Sequence, residues 1–210
     1  MFYLDDYVLI SHLRMEGRYF IKDNNEAKSK HEHVKFVFND GTTLRYVDTR
    51  KFGRILIKDY QNYNQEPPIS LVAKEPHLVD PLEFRAVLSK RKSPIKVSLL
   101  DQHIIAGLGN IYVDETLFLA KVLPTRPSNE VTSDEIKLIL KSADQVLKKA
   151  TALGGTTIYS YESSEGVSGL FQNELLVHTK VGKPCPVCKT TIEKIKVGGR
   201  GTYVCFKCQK

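Results

Sequence analysis

The chain has 210 residues, 41% of them hydrophobic, so it can bury the core of one large domain or of two small ones. Its formal net charge of +7 favours an acidic partner such as nucleic acid over an acidic substrate or a neutral ligand. It contains no apolar run of membrane-spanning length and no signal peptide, so we expect a cytoplasmic protein without a membrane partner.

The first sixty residues read as antiparallel β structure. Apolar and polar side chains alternate along much of this region, and Asn39-Asp40-Gly41 is a strong hairpin-turn signal. The predicted strands are one ending at Ile10, one from Ser11 into the Gly17 turn, and residues 18–22, 33–38, 42–47 and 54–58. These strands are too few to cover both faces of a sandwich.

The region from residue 80 to Gly155 reads as helical, and a proline-rich stretch over 61–81 separates it from the β half. Thr132-Ser-Asp-Glu135 has the spacing of a capping box, and a single apolar stripe follows it to Ala150. The other predicted helices begin after Asp80 and cover 95–100 and 111–120. The Gly-, Ser- and Thr-rich stretch over 155–171 is read either as an ordinary connector or as a lid over a substrate.

All four cysteines lie near the C-terminus, as Cys185-Pro-Val-Cys188 and Cys205-Phe-Lys-Cys208. Two such knuckles can close a tetrahedron around one structural Zn²⁺, and this spacing suits a metal better than a pair of disulfides. Paired metal-binding cysteines also indicate a reducing compartment. The loop between the knuckles is predicted to be a hairpin with Arg200 at its tip. A basic hairpin of this kind suits a phosphate backbone, whereas the alternative is a solvated basic tail.

Three further patterns have both a functional and a plain structural interpretation. Gly107-Leu-Gly-Asn110 could bind a phosphate at a helix start, although many glycine turns only connect helices. His31 and His33 could bind a metal, but a phosphate or solvent contact is the better interpretation. In the loop 48–53, Arg50 and Phe52 lie two residues apart. Together with Met15 they could form wedges between base steps, although Met and Phe are more often core residues.

Taken together, these residues resemble the formamidopyrimidine-DNA glycosylases. The resemblance rests on five motifs in the order of that family, and they cover essentially the whole chain. They are Ser11–Gly17, Asp48–Gly53, Gly107–Glu115, Gly154-Gly-Thr-Thr157 and the terminal zinc finger.

The resemblance implies an α+β fold and a function in base-excision repair. The fold is an N-terminal antiparallel β-sandwich, then a helix-two-turn-helix domain with a C-terminal zinc-finger hairpin. The implied domains are a partial sandwich over 1–70, the helical domain over 71–155, a lesion-capping loop and connector over 156–180, and the zinc finger over 181–210. Members of the family excise oxidised purines, such as 8-oxoguanine and formamidopyrimidines, from double-stranded DNA and then nick the abasic strand.

The resemblance also implies roles for single residues. Met15, Arg50 and Phe52 match the trio that fills the gap left by a flipped nucleotide, and this trio favours the purine branch of the family. Arg200 matches the arginine that holds a phosphate and assists the final elimination. The other implied DNA-binding residues are His31, Lys92, Lys96 and Asn110. The implied lesion-pocket residues are Glu115, Thr156, Thr157, Ser160 and Tyr161, and the implied zinc ligands are Cys185, Cys188, Cys205 and Cys208.

The start of the chain departs from the family pattern. The family nucleophile is an N-terminal proline amine followed by Glu, whereas Met1 is followed here by Phe2. The chain therefore reads as a sandwich truncated at its N-terminus, and we expect the missing strands to leave Val8 and Ile10 poorly covered. For the chain as written we expect weak or absent glycosylase activity. A non-catalytic remnant that binds damaged DNA is the alternative. A zinc-ribbon protein that binds RNA or protein is a third hypothesis, disfavoured by the 48–53 loop and the Gly107–Glu115 motif. We expect a monomer in the bacterial cytoplasm.

Overall fold

A computed structural model describes residues 1–156 and 169–210. These residues form two compact units. The first is Met1–Ile69, and the second combines Ser70–Thr156 with Leu170–Lys210. The predicted lesion-pocket residues Thr157, Ser160 and Tyr161 lie outside the described part of the chain.

The first unit consists of two three-stranded antiparallel sheets, with strand orders β1-β2-β6 and β3-β5-β4. The aromatic ring of Phe2 in β1 lies 5.4 Å from that of Tyr19 in β3, so side chains of the two sheets pack together. The register of β4 against β5 shifts between Glu32 and Val34, which places a bulge at His33. The strands are β1 Phe2–Tyr3, β2 Tyr7–His12, β3 Arg18–Asp23, β4 Glu32–Val37, β5 Thr42–Val47 and β6 Arg54–Asp59.

The expectation that Val8 and Ile10 are poorly covered was wrong, because they are only 0% and 7% exposed. Both residues lie on β2, which is the central strand of its sheet and is flanked by β1 and β6. The exposed large side chains of this sheet include Tyr3 and Ile57 on its edge strands, 54% and 65% exposed, and Tyr7 at the start of β2, 52% exposed.

The second unit is built around one apolar helical core. Asp80 caps the first helix by accepting hydrogen bonds from the amides of Leu82 and Glu83. The predicted capping box of Thr132 and Glu135 is present at the start of the longest helix. The helices are α1 Pro81–Leu88, α2 Ile95–Leu99, α3 Asn110–Leu119 and α4 Ser133–Ala152. Buried side chains from all four helices form the core, and they include Leu88, Leu99, Leu117, Ile136 and Ile139. Among the described residues, no helix is long and apolar enough to cross a membrane.

The second unit ends in an antiparallel hairpin of β7 Glu193–Val197 and β8 Arg200–Val204. Gly198 and Gly199 form its two-residue turn, with φ angles of +56° and +79° that a primed hairpin turn requires of both residues. A Cβ atom on Gly198 would lie 2.5 Å from a methyl carbon of Val97, so the turn packs closely against α2. Arg200 is therefore the first residue of β8, and the expectation that it occupies the apex of the hairpin was wrong.

Candidate nucleic-acid interface and metal centre

The four cysteines form a site that fits one zinc ion. Their Sγ atoms all lie within 4.8 Å of one another. Two pairs of sulfur atoms from different knuckles lie 3.8 Å apart (Cys185 and Cys208) and 3.4 Å apart (Cys188 and Cys205). A tetrahedral Zn²⁺ with bonds of about 2.3 Å would hold its thiolates about 3.8 Å apart. A disulfide would need about 2.05 Å, and all four cysteines are free. The cysteines thus provide a complete structural site for one Zn²⁺.

The zinc site packs against helix α3. Cys185 and Cys205 are fully buried, and they share an apolar cluster with Phe118 of α3, Val177 and Ile192. Loss of the metal would therefore disturb the packing against α3 as well as the hairpin itself.

Lys96 lies inside the protein rather than at its surface. Its side chain is 0% exposed, and its Nζ donates to Asp114 Oδ1 at 2.6 Å, to Thr202 Oγ1 at 2.9 Å and to the Gly201 carbonyl at 3.2 Å. Burial lowers the pKa of this ammonium, the Asp114 carboxylate opposes that effect, and the positive charge of Arg200 adds to it. Direct contact of Lys96 with DNA, expected from the sequence, does not fit this position. The lysine instead holds the backbone next to Arg200.

Asn110, at the start of α3, is tied to the same part of the hairpin. Its Nδ2 donates to the Gly201 carbonyl at 3.1 Å, so that carbonyl accepts from both Asn110 and Lys96. The Oδ1 atom of Asn110 is buried without a hydrogen-bond partner in the described structure. These contacts leave the guanidinium of Arg200 exposed while fixing the backbone directly after it.

Glu115 organises the segment that leads into the zinc finger. Its carboxylate accepts hydrogen bonds from the amides of Leu176, Val177 and His178 at 2.8–3.0 Å. Burial raises the pKa of Glu115, while these three amide donors oppose the rise. Thr156 donates from its hydroxyl to the Tyr112 hydroxyl at 3.2 Å. Glu115 also lines a cavity of about 240 Å³, which it shares with α4 and with Phe171.

In the first unit, the buried carboxylate of Asp48 shapes the loop that follows β5. It accepts from the amides of Arg50 and Gly53 and from the Tyr46 hydroxyl at 2.8–3.0 Å. A Cβ atom on Gly53 would lie 1.7 Å from the Tyr46 hydroxyl oxygen, so only glycine fits there. Burial would raise the pKa of Asp48, but these hydrogen bonds outweigh it and hold the pKa below its ordinary value. Burial, aided by Asp48, raises the pKa of Tyr46 to about 12.

The loop that Asp48 shapes presents a cation next to an aromatic ring. The guanidinium of Arg50 lies 4.8 Å from the ring centroid of Phe52, within the range of a cation–π contact. Phe52 is 56% exposed, and Met15 in its own tight loop is 76% exposed. Neither side chain belongs to a core, so the interpretation of Phe52 and Met15 as plain core residues was wrong.

The histidines of the first unit do not form a metal site. His33 Nε2 lies 2.8 Å from the Asp48 carbonyl, which can only accept, so this nitrogen carries its hydrogen. The carbonyl of His31 accepts the amide of Asp48, and His31 has a φ of +68°. In the part of the chain that the structure describes, the four cysteines are the only cluster suited to a metal. Lys92, between α1 and α2, is exposed.

Family models match three parts of the chain. Residues 1–55 match the formamidopyrimidine-DNA glycosylase N-terminal domain, and residues 73–162 match the H2TH domain of the same family. Residues 182–210 match a zinc finger found in FPG and IleRS. The formamidopyrimidine-DNA glycosylase of Mycoplasma mobile is 50% identical over 97% of this chain and 74% of its own length. That of Halalkalibacterium halodurans is 47% identical over 100% of this chain and 77% of its own length.

The chain belongs to the formamidopyrimidine-DNA glycosylase family. This is a family of DNA-repair enzymes. The chain's fold is also similar to solved structures of family members bound to DNA. A complex of a Lactococcus lactis FPG mutant with Fapy-dG containing DNA matches with a TM-score of 0.90 and 40% identity, over 98% of this chain and 76% of that one. A MutM complex with carbocyclic 8-oxo-G containing DNA matches with a TM-score of 0.88 and 40% identity, over 98% and 75%.

Sequence analysis did not find the residues that hold the glycosylase motifs in place. Asp48 was recognised as part of a motif, but its role as a hydrogen-bond acceptor was not predicted. Asp114 and His178 were given no role, and their contacts join segments 64 residues apart. The one local signal was that Asp114 and Glu115 are consecutive acids on an otherwise apolar helix.

Proposed function

We propose that this protein acts in base-excision repair as a DNA glycosylase that binds double-stranded DNA, removes oxidised purines and cuts the resulting abasic strand. The substrate class is supported by the Fapy-dG, abasic-site and 8-oxo-G DNA in complexes of its structural relatives. The protein would act as a monomer on the chromosome in the bacterial cytoplasm.

One observation of the structure carries this proposal. Arg200 is an exposed cation, and the three residues that follow it are each held by a hydrogen bond to a buried side chain, either Lys96 or Asp114. A guanidinium on a fixed backbone loses less conformational freedom when it binds a phosphate than one on a mobile tail. The arrangement therefore supports a phosphate clamp, and Asn110 and Lys92 would add contacts to the DNA backbone.

The exposed side chains of the first unit would supply damage recognition. Extrusion of a base costs a few kcal/mol of lost stacking, and apolar wedges can offset part of this cost. Met15 and Phe52 would occupy the vacated space, with Arg50 held beside the ring to probe the opposite base. The lesion would be bound near Glu115 and Thr156, with Thr157, Ser160 and Tyr161 closing the pocket.

The first experiment measures binding of the full chain to three duplexes: intact, with a tetrahydrofuran abasic analogue, and with 8-oxoguanine opposite cytosine. We expect tighter binding to the two damaged duplexes. Release of 8-oxoguanine and strand cutting test the activity, and borohydride trapping tests whether an amine of this chain attacks the abasic sugar. A robust trapped adduct would overturn the expectation of weak or absent activity for the chain as written. Equal affinity for all three duplexes, together with no excision, would refute the proposal.

Arg200→Ala is the sharpest single change. We expect about tenfold weaker binding to the abasic-analogue duplex and a salt slope reduced by about 1, because one phosphate contact is lost. The final strand cleavage should also slow, while the zinc content stays at one ion per chain. Lys207→Ala is the matched control, since it removes one exposed cation from the second cysteine knuckle. An affinity that falls equally in both variants would show that only net charge matters.

A further inference from the structure

Asp114 lies at the centre of a buried polar network in the second unit. Its Oδ1 accepts from Lys96 at 2.6 Å, and its Oδ2 accepts from His178 Nδ1 at 2.8 Å and from the Tyr203 amide at 3.3 Å. Asp114 and Lys96 are 0% exposed, and His178 is 7% exposed. Both carboxylate oxygens can only accept when the group is ionised, so His178 Nδ1 carries its hydrogen.

This network holds every residue of β8 from position 201 to 203. Lys96 bonds the Gly201 carbonyl and the Thr202 hydroxyl, and Asp114 bonds the Tyr203 amide. Arg200 immediately precedes these residues and has an exposed side chain. The path of the backbone that directs Arg200 is therefore set by buried groups on α2 and α3, in addition to the cysteine knuckles.

His178 fixes the carboxylate of Asp114 from the opposite side. Its backbone amide donates to Glu115 Oε1 at 2.8 Å, while its ring lies 4.7 Å from the ring of Tyr203. Two neighbouring acids on α3 thus bond to His178: Asp114 accepts from its ring, and Glu115 accepts from its backbone amide. Removal of the ring hydrogen bond would free Asp114 to reorient and loosen its hold on the Tyr203 amide.

We propose that Asp114 and His178 are positioning residues for Arg200, which act through β8 and do not touch DNA themselves. This inference rests on the proposed function, because it assigns a use to the orientation of Arg200. A displacement of about 1 Å in a group that binds a reacting substrate can cost on the order of a hundredfold in rate. Residues that fix β8 therefore decide whether the guanidinium meets its phosphate.

A double-mutant cycle separates positioning from general stabilisation. His178→Phe keeps an aromatic ring against Tyr203 but removes the hydrogen bond to Asp114, whereas His178→Asn keeps a donor near the position of Nδ1. Binding to the abasic-analogue duplex should weaken about fivefold in His178→Phe and less than about twofold in His178→Asn, the scale of one hydrogen bond. In an Arg200→Ala background, His178→Phe should have no further effect. The same loss in both backgrounds would overturn the inference.

A second measurement needs no DNA. Hydrogen exchange at the Tyr203 amide should be at least about tenfold faster in His178→Phe than in wild type, with no change in His178→Asn. Equal zinc content confirms that each variant keeps its finger. Unchanged exchange at Tyr203 would overturn the inference even if DNA binding follows expectation. Failure of wild type both to distinguish damaged DNA and to excise 8-oxoguanine would refute the proposed function. Exchange at the Tyr203 amide would then still decide whether His178 holds β8.

Asp114→Asn extends the test to the centre of the network. It should weaken duplex binding more than His178→Phe, and again without further effect in the Arg200→Ala background. Because this variant leaves the Lys96 ammonium buried without its counter-charge, the His178 pair decides the question if Asp114→Asn does not fold.

Discussion

The Asp48 carboxylate fixes the loop that carries Arg50 and Phe52, although it lies beneath that loop. Its carboxylate oxygens accept hydrogen bonds from the backbone amides of Arg50 and Gly53 and from the buried hydroxyl of Tyr46. A neutral amide in its place would present an NH₂ group to some of these donors. Loss of hydrogen bonds to a charged group costs about 1.5–3 kcal/mol each.

Asp48→Asn should therefore destabilise the protein by about 2 kcal/mol at pH 7. The folded-state pKa of Asp48 lies below its ordinary value, so the ionised form stabilises the fold above the unfolded-state pKa of about 3.9. This contribution is lost as the pH falls through the lower folded-state pKa. Urea unfolding at pH 7 and at a series of pH values below 4 measures the difference between wild type and variant.

We expect that difference to shrink as the pH falls below about 4, because wild-type Asp48 then becomes neutral as well. Asp5→Asn is the matched control, since it changes an exposed carboxylate in the same unit. A constant difference at every pH would mean that the charge of Asp48 does not stabilise the loop.

At the scale of elements, the polar loop between β3 and β4 depends on one buried cation. Arg45 is 1% exposed, and its guanidinium donates to the carbonyls of Asp23, Glu26 and Ala27. It also forms a buried ion pair with Glu32 at 3.4 Å. Arg45 thus holds this loop, which has no apolar anchor, through hydrogen bonds to the loop's backbone carbonyls. The loop leads directly into His31.

Arg45→Met should release this loop. We expect a loss of stability, because the variant removes the cation partner of Glu32 and the donors to three loop carbonyls. Trypsin should then cut after Lys28 or Lys30 well before it cuts elsewhere in the unit. Lys35→Met is the control, because Lys35 donates to the carbonyl of Asn24 in the same loop from an exposed position. Equal protease resistance in both variants would contradict the role given to Arg45.

The helices and strands themselves were largely predictable from sequence, whereas the side-chain contacts that join them were not. Thr132 and Asp80 indicate helix starts, because their side chains bond to nearby backbone amides, and Asn39-Asp40-Gly41 indicates a hairpin turn. Interactions between residues close in sequence were therefore enough to predict these elements. Lys96 was misread because its partners Asp114 and Thr202 are 18 and 106 residues away. A basic side chain in a basic cluster gives no local sign that it is buried.

At the scale of the whole molecule, positive charge is concentrated in residues 70–210 of the sequence. Residues 70–210 hold 20 of the 31 Lys and Arg but 14 of the 24 Asp and Glu, which leaves +6 of the net +7 there. Counter-ion release from DNA should therefore depend mainly on this half of the chain. The 1–69 region is nearly neutral, and in the proposed function it would contribute shape recognition through exposed side chains such as Met15 and Phe52.

Zinc removal tests how far the second unit depends on its metal. A structural Zn²⁺ in small finger peptides contributes about 10–16 kcal/mol at pH 7, comparable to the whole stability of a typical domain, about 5–15 kcal/mol. The finger buries few apolar side chains of its own, and its cluster with Phe118 and Val177 includes two of the metal ligands. Without zinc, the β7–β8 hairpin should lose hydrogen-exchange protection, and affinity for the abasic-analogue duplex should fall at least as far as in Arg200→Ala.

Added Zn²⁺ should restore both properties, and Mg²⁺ added at the same concentration serves as the control, because four thiolates are poor ligands for it. Protection along β2 and β6 should stay unchanged throughout, since no zinc ligand lies in the 1–69 unit. A hairpin that stays protected after complete zinc loss would mean that the Lys96 and Asp114 contacts suffice to hold Arg200. In that case the position of the Arg200 side chain would not depend on the metal.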